Sequence, residues 1–249
     1  MQEYWELYMK TIDGNIASVL VNAGVSVELP SDDKHFMGFI KITMKSSNDK
    51  GLISEDEEAQ LSFIEDKIEM ESLRYRIGNY VGKIVSNGEM TFIYYLKHDF
   101  EWPDMVQAAM KEFSTYSYEY GSKMDSEWEI YHKLLFPTPI EWQIIQNHKV
   151  CDNLKVQGDS LHLPRAIEHK AYFETLEQQA SFEKRIESES FKVKEYIEAN
   201  ENTPMIGVSF YRQDKPFYYD IDALTLHLIE LSHQCGGQYD GWETSVVKI

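Results

Sequence analysis

Twice along this chain of 249 residues the hydrophobic pattern passes through the same succession of periods: two, 3.6, two, two, 3.6 and two. A period of two marks a strand with alternate residues facing a core, and 3.6 marks a helix with one buried stripe. The first succession starts at Phe36, where Ile40, Ile42 and Met44 share a face. A helix from Ser54 follows, striped by Leu61, Ile64 and Ile68, then two β-rich runs, Tyr80–Val85 and Met90–Leu96. A helix opening near Pro103, with Met105, Ala109 and Phe113, and an aromatic strand from Tyr116 to Tyr120 complete it. The second succession comprises His169–Phe173, a helix carrying Phe182 and Ile186, then Phe191–Ile197 and Met205–Tyr211. It ends with a helix carrying Leu224, Leu228, Leu231 and Cys235, and a last strand around Val246 and Val247.

The repeated order β-α-β-β-α-β leaves few topologies, because each sheet needs helices on one face and such crossovers are right-handed. The expected fold is α+β: two ferredoxin-like βαββαβ sandwiches in tandem, the first with an extra N-terminal β-hairpin. That hairpin sets Trp5, Leu7 and Met9 against Glu6, Tyr8 and Lys10, the alternation of a half-buried strand, and turns at Asp13-Gly14-Asn15 into Ile16–Val21. A polar loop with Pro30, Asp32 and Asp33 leads to the third strand. Domains are expected over residues 1–148 and 160–249, with the polar run 146–158 as linker. The aromatic segment 125–146, with Trp128, Tyr131, Pro137, Pro139 and Trp142, reads as a helix ending before Pro137 and a proline-punctuated piece.

Local signals fix several ends. Ser54-Glu55-Asp56-Glu57 and Thr175-Leu176-Glu177-Gln178 are capping-box patterns, and Asn87-Gly88 between β-rich runs is a hairpin signal. Asp220 or Asp222 is placed to cap the last helix, and Gly236 or Gly237 to end it in the left-handed conformation. The stretch Gly236–Thr244 then reads as a joint between that helix and the last strand.

Charge narrows the function classes. With 42 Asp and Glu against 24 Lys and Arg, the net charge is −18, and both halves are acidic. Such a surface repels phosphate backbones, which disfavours direct nucleic-acid binding and favours a basic protein partner. Cys151 and Cys235 form no ligand-spaced pair and are expected as reduced thiols. The first residues lack the basic and apolar regions of a secretion signal, and no stretch approaches the roughly 18 apolar residues of a membrane span. The expected location is cytoplasmic, away from membranes.

No nucleophile elbow, HExxH, P-loop or GxGxxG occurs, so no catalytic residue is assigned. His227, His233 and Cys235 lack metal-ligand spacing, and Cys235 falls on the core stripe; Asp214, Asp220 and Asp222 lack the rest of a calcium loop. No metal or cofactor is expected.

His169-Lys-Ala-Tyr-Phe-Glu, Gly207-Val-Ser-Phe-Tyr-Arg, the helix from Asp222 and above all Gly236-Gly-Gln-Tyr-Asp-Gly-Trp-Glu-Thr resemble the regulator of ribonuclease E activity B family, over roughly residues 165–248. Lys50-Gly-Leu-Ile-Ser-Glu-Asp-Glu-Glu, Tyr80-Val-Gly-Lys and Asp125-Ser-Glu-Trp-Glu-Ile-Tyr resemble an uncharacterised domain of unknown function found fused ahead of such regulators. Members of the regulator family bind ribonuclease E and inhibit RNA processing without acting on RNA themselves. The resemblance therefore implies a non-enzymatic adaptor or inhibitor whose partner is a ribonuclease or another arginine-rich protein.

The partner-binding residues expected on this reading are Tyr239, Asp240, Trp242 and Glu243 of the glycine-flanked segment. Leu226, Ile229 and His233 join them as a second stripe on the last helix, which needs cover from the first domain or a partner. The alternative is a ligand-binding or hydrolytic protein with a cleft between the domains lined by Trp128, Tyr131 and Trp142.

Overall fold

In the computed structural model, residues 4–28, 33–200 and 204–248 are described. Pro30 and Asp32 of the expected polar loop lie outside them, as do residues 201–203 before Pro204. The chain divides into two units, Met1–Thr138 and Pro139–Ile249. It is α+β, with one antiparallel sheet in each unit.

The first unit contains β1 (Trp5–Ile12), β2 (Asn15–Asn22), β3 (Phe36–Thr43), α1 (Glu55–Tyr75), β4 (Gly78–Ser86), β5 (Glu89–Leu96), α2 (Trp102–Met110) and β6 (Tyr118–Met124). Its sheet has the order β1-β2-β4-β5-β3-β6. Ile64 and Ile68 of α1 and Met105 and Val106 of α2 share a core with Ile40, Ile42, Phe92 and Tyr94, so both helices lie on one face. The other face receives the segment after β6. Trp128 stacks on Tyr95 with ring centres 3.7 Å apart, and Tyr131, in a π-helical turn (Tyr131–Leu135), donates its hydroxyl to Asn22 O at 2.8 Å.

That second layer reverses the expected burial of β1. Tyr8 donates its hydroxyl to Leu135 O at 2.8 Å, so Glu6 and Tyr8 face the covered side while Leu7 and Met9 are exposed. Covering by 125–136 decides the inward face, and the polarity of β1 alone does not show it. Trp128 and Tyr131 are wholly buried inside the first unit, with the Trp128 indole N–H donated to Lys34 O. They cannot line a cleft.

Helix α1 starts after Ser54 as expected, but without the capping box. The Glu57 carboxylate instead accepts from the backbone N–H groups of Lys45 and Ser46, at 2.8 and 2.5 Å, while the Ser54 and Ser46 hydroxyls share a 2.6 Å hydrogen bond. A preceding loop with free amides outcompetes the helix's own cap for the carboxylate.

The second unit contains α3 (Pro139–Val156), β7 (Arg165–Phe173), α4 (Leu176–Ser188), β8 (Lys192–Ile197), β9 (Ile206–Asp214), α5 (Tyr218–Gln234) and β10 (Gly237–Glu243), in sheet order β10-β7-β9-β8. Helix α3 occupies most of the run expected as a linker. Its buried Cys151 and Leu154 join the core made by Phe173, Phe182, Val208, Phe210, Leu224 and Leu228. Thr175 and Gln178 form the expected capping box at α4. Phe217, not Asp220 or Asp222, is the N-cap residue of α5, which starts a turn earlier than expected. Both cysteines are free and buried.

The final strand also differs from expectation. Gly237–Glu243 is itself β10, and Val246 and Val247 lie beyond it. The tail is fixed by a buried ion pair: Asp159 and Arg165 bond through both carboxylate oxygens, while Arg165 donates to Ser245 O at 3.0 Å and Asp159 accepts from Val247 N at 2.6 Å.

Candidate functional site

The glycine-flanked segment builds a bulged edge strand. Gly236, at φ +77°, turns the chain out of α5, and Gly237 enters β10 opposite Phe173. Tyr239 then pairs with Ala171, but Gly241 pairs with Lys170 and Trp242 with His169, so Asp240 is an extra residue. Gly241 sits at φ +137°, a conformation that side-chain-bearing residues avoid. The bulge resets the alternation. Tyr239 and Trp242, three apart in sequence, both face the core, and Asp240 is thrown outward.

Each inward side chain is then held by a polar contact. The Trp242 indole N–H donates to Asn147 Oδ1 at 2.8 Å. Asn147, fully buried on α3, also accepts from Gln143 Nε2 at 2.9 Å and donates to Asp222 Oδ1 at 2.9 Å and Thr225 Oγ1 at 2.7 Å. One asparagine thus ties α3 to both β10 and α5. The Tyr239 hydroxyl shares a 2.8 Å hydrogen bond with His169 Nδ1. His169 is fully buried beside Phe210, and burial, then the nearby Arg212 charge, lower its pKa to about 3. Burial, then the Asp240 charge, push the Tyr239 hydroxyl well above its ordinary value. Both shifts favour the uncharged forms of the pair.

Outside this frame lies an open pocket of about 310 Å³, lined by Gln143, Gln146 and Val150 of α3, Glu168 and Lys170 of β7, and Asp240 to Glu243. Asp240 and Glu243 are exposed, and Lys170 approaches Glu243 at 3.5 Å. The pocket offers carboxylates, amides and an indole edge.

Of the residues predicted from sequence, Asp240, Trp242 and Glu243 line this pocket, and Tyr239 supports it from within. Leu226 and Ile229 are half-buried and His233 is exposed, all on α5, and none lines the pocket. The pocket residues of α3, with Glu168 and Lys170, escaped the sequence reading. A run from Pro139 without glycine or another proline as far as Gln157 was the available signal for α3. It was masked because its most central buried position is the polar Asn147. His227 bonds Glu189 and Asp214 pairs with Arg212, so each has a local partner. Among the described residues no three His, Cys, Asp or Glu side chains converge to hold a metal. No described helix is long and apolar enough to cross a membrane.

The model of a family of unknown function, DUF695, matches residues 3–136, and that of regulator of ribonuclease activity B matches residues 144–244. The second match spans α3, the pocket and the whole bulged strand. No curated protein matches the chain. Among solved structures, an unknown protein from Galdieria sulphuraria aligns over 86% of this chain and 99% of its own, at 8% identity and a TM-score of 0.23. That similarity is too low to bear on fold or function.

Proposed function

The chain belongs to the family of unknown function DUF695 and continues into a regulator of ribonuclease activity B domain, and from this premise we propose that it is a non-enzymatic regulator that binds a ribonuclease of the RNA-decay machinery and restrains it through protein–protein contacts. The observation that carries the reading is the position of the bulge within the regulator match. It turns Asp240 outward, beside Glu243 and above a pocket walled by α3. We read the second unit, α3 included, as the binding part, and its strand order β10-β7-β9-β8 as that of a ferredoxin-like sandwich. The strands β4-β5-β3-β6 of the first unit repeat that order, with the β1–β2 hairpin added at one end.

The partner chemistry follows from charge. Carboxylates flanking an indole edge suit arginine, whose guanidinium forms charge-assisted bonds to carboxylates and stacks on aromatic rings. The acidic surface assists encounter with an arginine-rich segment and repels RNA. Fluorescence anisotropy with a labelled arginine-rich segment of a ribonuclease tests this. Binding that weakens between about 0.05 and 0.3 M salt, with labelled RNA left unbound, is expected. Binding to RNA but not to the peptide would contradict it.

A further inference from the structure

The four outer strands of the two sheets are not protected alike. β10 is bulged at Asp240 and closes on Gly241, and β8 has a register shift between Val193 and Glu195 and exposes Lys192 and Lys194. β6 is interrupted by Gly121 and exposes Glu119 and Lys123. These are features that keep sheet edges from pairing. β1 has neither bulge nor glycine, and its two charged residues, Glu6 and Lys10, alternate with the exposed Leu7 and Met9 rather than lying beside them on the same face. It pairs with β2 over all eight residues without a register shift, contains neither proline nor glycine, and exposes Leu7 at 66% and Met9 at 50%.

The turn says which backbone groups of β1 are free to pair. Asp13 and Gly14 both have positive φ, at 49° and 82°, which makes a two-residue turn of type I′ closed by the hydrogen-bonded pair Ile12 and Asn15. Alternation then directs the amides of the even residues towards β2, and Tyr4 O, which accepts from Ala23 N at 2.7 Å, follows that parity. Trp5, Leu7, Met9 and Thr11 direct theirs outward, away from the sheet.

We propose that the occupant of this edge is a second copy of the chain, with the two β1 strands antiparallel about a two-fold axis at Tyr8. The sequence of β1 is self-complementary in that register. Leu7 of one copy lies opposite Met9 of the other and Trp5 opposite Thr11, all hydrogen-bonding pairs on the side where Leu7 and Met9 are now exposed. On the other side Glu6 lies opposite Lys10, twice by symmetry, at positions where facing side chains approach most closely. An axis at Leu7 sets Glu6 against Tyr8, and one at Met9 sets Lys10 against Tyr8; neither opposes charges of unlike sign. Registers shifted by one residue would put side chains of opposite faces together. The two sheets become one continuous sheet, and the contact is isologous, which closes the assembly at two copies.

Sedimentation velocity on the full chain over a concentration series tests the pairing. The wild type is expected to dimerise. Met9→Pro removes an outward N–H that β2 does not use and is expected to raise the dimer dissociation constant roughly tenfold or more while the chain still melts cooperatively. Lys10→Glu sets Glu6 against a glutamate and is expected to give monomers, with dimers restored in the charge-swapped Glu6→Lys/Lys10→Glu chain. A monomeric wild type overturns the proposal, as does Met9→Pro that folds and dimerises unchanged. If Met9→Pro does not melt cooperatively, the charge series decides: an unaffected Lys10→Glu dimer, or no rescue by a folded swap, overturns it.

Discussion

The Trp242 indole N–H ends on the side-chain oxygen of Asn147, 95 positions earlier in the chain and 2.8 Å away. Because Asn147 also binds Asp222 and Thr225, this one contact joins the bulged strand, α3 and α5. Asn147→Leu keeps approximate volume but leaves buried polar groups without partners. It is expected to cost about 2–4 kcal/mol. Trp242→Phe, which keeps one aromatic ring but loses the N–H and part of the indole's packing, is expected to cost about 1–2 kcal/mol. Urea midpoints of the two variants check the ordering, and a double-mutant cycle gives the coupling.

His169 gives the second unit an acid sensitivity. Its folded pKa of about 3 lies below the ordinary 6.5, so the unfolded chain takes up the proton first as pH falls. The contribution is complete above pH 6.5 and is lost progressively towards pH 3, with a slope of up to about 1.4 kcal/mol per pH unit. His169→Phe is expected to be less stable at pH 8, where Tyr239 loses its partner, but to show a flatter stability profile between pH 6 and 4, about 2 units. Denaturant titrations across that range measure both effects.

Asp159 and Arg165 form the pair whose halves cannot be separated cheaply. The Arg165 guanidinium holds the Asp159 carboxyl below its ordinary value, so its contribution is present above the unfolded value of 3.8 and lost as pH falls through the lower folded one. At neutral pH, Asp159→Asn leaves the buried Arg165 charge uncompensated and also weakens the acceptor for Val247 N. A loss of about 3–5 kcal/mol is expected, measured by the urea midpoint.

In the first unit, Tyr95 supports the second layer in two ways. Its ring stacks on Trp128, and its hydroxyl donates to Asp125 Oδ2 at 2.6 Å. Burial raises the Asp125 pKa, but the bonds from Tyr95, Ile130 N and Glu129 N outweigh it and leave the carboxyl below its ordinary value. Tyr95→Phe is expected to cost about 1 kcal/mol and Tyr95→Ala about 3–5 kcal/mol, because only the second removes the stack. Thermal melts followed by tryptophan fluorescence separate them.

Much of this architecture was legible in periodicity. The stripes Leu61–Ile64–Ile68 and Leu224–Leu228–Leu231 are buried, Asn87-Gly88 turns a hairpin, and Gly236 ends α5. Periodicity failed where a polar residue takes the central place. Asn147 broke the stripe of α3, which therefore read as a linker. It also failed where a distant segment decides what is covered, as 125–136 does for β1. The sequence singled out Asp240, Trp242 and Glu243, but the bulge that separates the inward Trp242 from the outward Asp240 needs the register with β7, which lies some 70 positions upstream. Glu57 shows the limit of local motifs. Its capping-box spacing is intact, and its carboxylate binds Lys45 and Ser46 instead.

Regulation by protein contact at the bulged strand is measured by RNA cleavage by a ribonuclease of the decay machinery in the presence of the wild-type chain and of Asp240→Asn/Glu243→Gln, both shown to melt cooperatively. Neither side chain is buried, so the double variant is expected to fold normally. The wild type is expected to slow cleavage, to leave RNA intact when the ribonuclease is omitted, and to lose about tenfold or more of its inhibitory potency in the double variant. Cleavage of RNA by the chain alone, or inhibition unchanged in the double variant, would contradict it.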